Sequence, residues 1–218
     1  MNGIVLVLMA FCLLVAPALA QTEPQKPEVP QAAASPASLN YGIVVDNSGS
    51  YRLILNKVTD VVKNIVNENA GEDETFIVRF IHSKRIHVVQ DLTGIKEDLN
   101  DAADNFYIEG GQTAILDAVY FSAKYLVRNS EEKPARERVL ILVSDGDERE
   151  STIKYEELTK FLKEEKIRVF VIGMAEEKVF TKLLDKIARD TGGKVYLPKN
   201  AADLSSTAKT VSADIRSK

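Results

Sequence analysis

A single cysteine and only two histidines stand in this 218-residue chain. One thiol cannot close a disulfide within the chain, so whatever folds must be held by burial alone. The two histidines, His82 and His87, give no Ser-His-Asp order for nucleophilic hydrolysis, and neither falls near the nucleophile-like serines of the pattern. An excess of one charge is missing too: 28 Lys and Arg against 32 Asp and Glu leave a net charge of -4. Without a basic surplus nothing global points to nucleic acid or to an anionic membrane. The mixed run Glu131-Glu132-Lys133-Pro134-Ala135-Arg136-Glu137-Arg138 reads as a solvated loop. The apolar stretch from Ile4 to Ala16 falls short of the roughly 20 residues that a membrane span requires.

That stretch closes on Ala18-Leu19-Ala20, the small-x-small pattern read by signal peptidase. Residues 1–20 are therefore expected to be a signal peptide. The mature protein is expected to begin near Gln21, to contain no cysteine, and to be secreted or periplasmic. Phe11 occupies the place before Cys12 where a lipoprotein signal wants a small residue. Residues 21–38 carry Pro24, Pro27, Pro30 and Pro36 among Gln, Glu, Ala and Ser. Such a composition cannot bury enough apolar surface to fold and reads as a disordered spacer. At roughly 3.1 Å per residue it would reach on the order of 50 Å. Residues 39–218 are left as one domain.

Within that domain strand-like and helix-like segments alternate. Short β-branched runs recur at 41–45, 76–81, 139–143, 169–172 and 195–197. Between them Ile54, Val58, Val62 and Ile65 fall on one helical face, as do Phe180, Leu183, Leu184 and Ile187. A last helix is predicted to open at Asn200 as N-cap with Asp203 three residues on, and to carry the stripe Leu204, Ala208, Val211 and Ile215. Continuous apolar strands separated by amphipathic helices imply a three-layer α/β domain, a mostly parallel central sheet with helices on both faces. One connection differs. Only His82-Ser83-Lys84-Arg85 separates 76–81 from 86–90, too little for a crossover, so one antiparallel strand is expected.

The most informative residues follow the first strand. Asp46-Asn47-Ser48-Gly49-Ser50 places a carboxylate and two hydroxyls at alternate positions where a buried strand breaks into a turn. Clustered hard oxygens suit a hard divalent cation, and the end of a strand in an open α/β sheet is where such sites form. Two further segments belong to the same sheet edge. Glu109-Gly110-Gly111-Gln112-Thr113 leads into a helix whose first turn is expected to include Thr113, and the strand Val139 to Val143 ends on Ser144-Asp145-Gly146. Asp46, Ser48, Ser50, Thr113 and Asp145 thus supply five oxygen donors, which leave one position of an octahedron open to water or to an incoming ligand.

These three segments, in this order and in these contexts, resemble the metal-ion-dependent adhesion site of the von Willebrand factor type A (vWA) family. The resemblance covers about residues 39–218 and implies the Rossmann-like vWA fold. It implies that Ser48 and Ser50 bind the metal directly and that Asp46 and Asp145 hold it directly or through water. Thr113 would enter or leave the coordination sphere as the site changes state. It further implies that the open position accepts a carboxylate, so the expected partner is a protein presenting Asp or Glu. Mg²⁺ is the expected cation, with Mn²⁺ and Ca²⁺ as alternatives. In family members that switch, the C-terminal helix slides along the sheet, and the sparse stripe at 204–215 fits either that behaviour or a passive helix.

Three functional readings compete: an exported module that captures an acidic side chain through a cation, a structural subunit of an envelope assembly, and a metal-dependent hydrolase. The hydrolase reading lacks its nucleophile pair, since phosphatases of that kind need an acid two residues after the Asp, and Ser48 stands there. No enzyme activity is expected. Asp117 is read equally as support for the metal site or as a helix-surface acid. Asp147 and Glu148, which follow the Asp145 turn, are read as acids of a solvated loop rather than as a rim of the site, and His82 and His87 as exposed hairpin residues rather than a zinc pair.

Overall fold

The structure, a computed structural model, describes residues 38–130 and 136–217. The expected signal peptide and all but the last residue of the expected spacer lie outside the described residues, as does most of the charged run at 131–138.

The first strand, β1 (Leu39–Asp46), is buried along its whole length, so it occupies the middle of the sheet. It pairs in parallel with β2 (Glu74–Phe80) on one side and with β4 (Glu137–Ser144) on the other. Beyond β4 lie β5 (Arg168–Gly173) and the two-residue β6 (Val195–Tyr196), both parallel. The expected antiparallel strand is β3 (Ile86–Thr93), hydrogen-bonded to β2 at the sheet edge. The strand order is β3-β2-β1-β4-β5-β6.

Side chains on successive strand residues point to opposite faces, and the core divides accordingly. Tyr41, Ile43 and Val45 join Val139, Ile141 and Val143 on one face, beneath α1 (Leu55–Asn67), α2 (Lys96–Asp104) and α6 (Ala201–Arg216). Val44, Val78, Leu140 and Leu142 face the other way, beneath α3 (Ile115–Asn129), α4 (Tyr155–Glu164) and α5 (Thr181–Thr191). Helix α1 buries Val58, Val61, Val62, Ile65 and Val66, each contributing roughly 1.5–3 kcal/mol of transfer free energy. Gly42 is required by packing, because a Cβ there would stand 2.2 Å from the ring of Phe76.

The stripe Leu204, Ala208, Val211 and Ile215 is buried as predicted. Asn200 caps α6 by accepting from Asp203 N at 3.0 Å, while Asp203 Oδ2 accepts from Lys199 N at 3.1 Å. The other end of α6 is tied down by polar contacts that the stripe did not foretell. Arg216 pairs with the buried Asp73, which also accepts from Leu39 N and Ala70 N. Lys194 Nζ and Tyr196 Oη reach Asp214 at 2.7 and 2.5 Å.

Three readings are corrected. Glu137 and Arg138 belong to β4 and pair with Arg168 and Glu165. Helix α3 starts at Ile115, so Thr113 precedes it. Phe180 is the N-cap of α5 and is 44% exposed, with its backbone N–H donating to Asp145 O at 2.6 Å.

Candidate metal centre

β1 is flanked by β2 on one side and β4 on the other, so the chain leaves its C-terminal end in one direction and returns on the other. Crevices at such switch points are where α/β sheets bind ligands. Asp46 is the last residue of β1, and Asp145 follows the last residue of β4. The loop after β1 is pinned by Asn47 N donating to Phe80 O (2.8 Å) and by the buried Tyr51 hydroxyl donating to Met174 O (2.9 Å). The loop carrying Thr113 is pinned by Ala114 N donating to Ile81 O (2.9 Å). Gly111 and Gly146 have φ of +135° and +83°, backbone that favours glycine. A Cβ on Gly146 would also lie 2.2 Å from Phe180 O.

All five predicted residues come together. Ser48, Ser50, Thr113 and Asp145 line one cleft of about 240 Å³ with Gln112, Asp147 and Arg149, and Asp46 lies buried at its base, bonded to Ser48. Ser48, Thr113 and Asp145 are buried, whereas Ser50 is exposed. Ser48 Oγ and Ser50 Oγ are 3.0 Å apart. Asp46 Oδ1 accepts from Ser48 N at 3.0 Å and Oδ2 from Ser144 Oγ at 2.9 Å. Burial pushes the Asp46 carboxyl up to about 7, and the Asp145 charge adds to the rise against the bonds from Ser48 and Ser144.

Does this donor set fit a cation? Two carboxylates that disfavour each other's charge and three neutral hydroxyls are hard oxygens with no sulfur or nitrogen among them. The 3.0 Å between the serine oxygens matches the edge of an octahedron with bonds of about 2.1 Å, the Mg²⁺ distance. Asn47 Nδ2 is buried without a hydrogen-bond partner among the described residues, a donor that suits a water oxygen, and Mg²⁺ keeps waters. The residues fit. Among the described residues no group of three His, Cys, Asp or Glu side chains converges on a metal position. His82 is half-buried, with Nδ1 accepting from Lys84 N at 3.3 Å, and His87 is exposed.

Two acids have structural duties: the role of Asp117 was open in the sequence, and the reading of Glu148 as a solvated loop acid is corrected. Asp117, near the start of α3, accepts from Thr152 N and Ile153 N, both at 2.9 Å. Burial alone would raise its pKa, but these bonds hold it below the usual range. Glu148 turns inward: Oε2 accepts from Leu116 N at 3.0 Å and Ser151 Oγ at 2.9 Å, and Oε1 accepts from Ser151 N at 2.9 Å. Together they staple the loop after β4 to the N-terminus of α3, beside Thr113, whose carbonyl accepts from Arg149 N at 2.9 Å. Asp147 does line the cleft and is paired with Arg149. Arg149 is a charged cleft residue that sequence reasoning missed. Its only signal was its position four residues past Asp145.

Solved structures of the same fold support this architecture. A von Willebrand factor type A protein from Catenulispora acidiphila superposes with a TM-score of 0.69 at 19% identity over 81% of this chain and 42% of that one. The conserved hypothetical protein BatB from Bacteroides thetaiotaomicron gives 0.67 at 18% identity, covering 82% and 97%. Proximal thread matrix protein 1 from the mussel byssus, with a zinc-occupied MIDAS (metal-ion-dependent adhesion site) motif, gives 0.67 at 20%, covering 81% and 48%. The chain thus spans less than half the length of the first and third of these. No curated protein matches the sequence significantly, and no helix among the described residues is long and apolar enough to cross a membrane. The family model for the von Willebrand factor type A domain matches residues 42–210, and the chain belongs to that family.

Proposed function

We propose that this protein is an exported, non-enzymatic binding module that captures an Asp or Glu side chain of a partner protein through a divalent cation held by Asp46, Ser48, Ser50, Thr113 and Asp145. The observation that carries the reading is the convergence of four of these donors on one open cleft, with Asp46 buried beneath. Ser48 and Ser50 offer neutral oxygens on the open side, and Asp46 and Asp145 supply the charge that retains the ion. A cation so held keeps enough electrophilic character to attract one more carboxylate. Mg²⁺ suits the spacing of the serine oxygens, and Mn²⁺, Ca²⁺ or the zinc seen in the mussel protein are the competing occupants. Ser48 where an acid would be needed, and the absence of a histidine from the cleft lining, speak against hydrolysis. Export rests on the Ile4 to Ala20 segment, and the mass of the native protein should correspond to a start near Gln21.

A pull-down from envelope extract of the producing cells tests the reading. A partner should be retained by the wild-type protein in Mg²⁺ and lost with chelator or in Ser48→Ala. Retention of the same partner under all three conditions would overturn it.

A further inference from the structure

Asp147 has a hollow on each side. One is the metal cleft; the other, of about 350 Å³, is lined by Gly146, Glu148, Phe180, Lys182, Leu183 and Lys186. The two are built as a unit, because the Asp145–Phe180 backbone bond of 2.6 Å clamps their loops together and Gly146 leaves no room between them.

The second hollow has an apolar floor and unanswered positive charge. Phe180 is 44% exposed and Leu183 is half-buried. The two carboxylates in its wall are already engaged, Asp147 by Arg149 and Glu148 by the backbone of Leu116 and Ser151. Lys182 and Lys186 are exposed, and among the described residues neither forms an ion pair; Lys186 Nζ lies 3.6 Å over the Tyr155 ring. Lys178 Nζ adds a third cation 5.0 Å from the Phe180 ring centroid. Glu176, Glu177 and Asp185, the acids nearby in sequence, do not line the hollow.

We infer that this hollow is a second recognition subsite continuous with the cation, and that it selects a partner segment of acidic–apolar–acidic chemistry. The first acid meets the cation, the apolar side chain covers Phe180 and Leu183, and the second acid is answered by Lys182 and Lys186. The inference rests on the carboxylate-capture reading above and adds to it the identity of the neighbouring residues. Exposed aromatic surface such as Phe180 is enriched in protein interfaces, and charge complementarity sets which partners are admitted.

The test is fluorescence anisotropy of the full chain in Mg²⁺ with two labelled peptides, Gly-Asp-Gly-Gly-Gly and Gly-Asp-Phe-Glu-Gly. The second should bind about tenfold more tightly, the gain expected from roughly 60 Å² of newly buried apolar surface. The double variant Lys182→Glu/Lys186→Glu keeps the apolar floor but sets two carboxylates against the Glu of the second peptide, and that repulsion should cancel the gain while the first peptide binds as to the wild type, which also shows that the variant is folded. Equal affinity for both peptides, or a gain that survives in the variant, overturns the subsite and leaves carboxylate capture standing. Absence of Mg²⁺-dependent binding by either peptide overturns both.

Discussion

Removing the cation should make the stability of this domain depend on pH through one residue. Asp46 is fully buried, and its carboxyl titrates near 7 in the folded, metal-free protein against 3.8 in an unfolded chain. Below pH 3.8 it is protonated in both states and contributes no pH dependence. Between 3.8 and about 7 the unfolded chain has released a proton that the folded domain retains, so stability falls as pH rises, by about 1.4 kcal/mol per pH unit. Above 7 both states are ionised and the loss is complete, at about 4 kcal/mol. Asp46→Asn isolates this contribution. An amide still accepts from Ser48 N and donates to Ser144 Oγ in place of the present bond, so the shape is retained and the charge removed. Urea denaturation in chelator at pH 4 to 8 should show wild type and variant converging in acid, separating between pH 4 and 7 and keeping a constant gap above 7, with the variant the more stable. Saturating Mg²⁺ should stabilise the wild type at pH 8 and leave the variant little changed. Parallel curves for the two proteins across the range would refute the account of Asp46.

Four further outcomes follow from the geometry. Asp145→Ala should abolish Mg²⁺ binding in calorimetric titration while leaving the circular dichroism spectrum intact, since the residue faces the cleft beyond the end of β4. Glu148→Ala should cost about 1–3 kcal/mol in urea denaturation, because it strands the N–H groups of Leu116 and Ser151 in a partly buried place; it should also weaken Mg²⁺ binding by loosening the loop beside Thr113. Arg216→Ala should cost roughly 3–5 kcal/mol, since it leaves Asp73, 1% exposed, without its cation. In the wild type, hydrogen exchange over 210–216 should be equally slow with and without Mg²⁺, because Asp73, Lys194 and Tyr196 hold that end of α6.

The central strands and the placement of the candidate-site loops at one sheet edge were legible because they depend on local pattern. A buried strand breaking into Asp-x-Ser-x-Ser, or ending on Ser-Asp-Gly, carries its own signal of burial and turn. The duties of Glu148 and Asp117 were not legible, since each acts on residues more than thirty positions away. Phe180 was placed on the helical face of α5 because its apolar spacing is genuine, while its N-cap position and the bond of its N–H to Asp145 O are tertiary. The start of β4 was hidden inside a charged run for a similar reason: Glu137 and Arg138 are tolerated there only because Arg168 and Glu165 pair with them.

The central claim is that five oxygens on three loops hold one divalent cation. Anomalous diffraction from crystals grown with Mn²⁺ measures it most directly. The account predicts a single strong peak bonded to Ser48 Oγ and Ser50 Oγ, with Asp46, Asp145 and Thr113 bonded to it or one water away. A Mn²⁺-saturated crystal with no peak in that cleft, or with its strongest peak elsewhere, would contradict it.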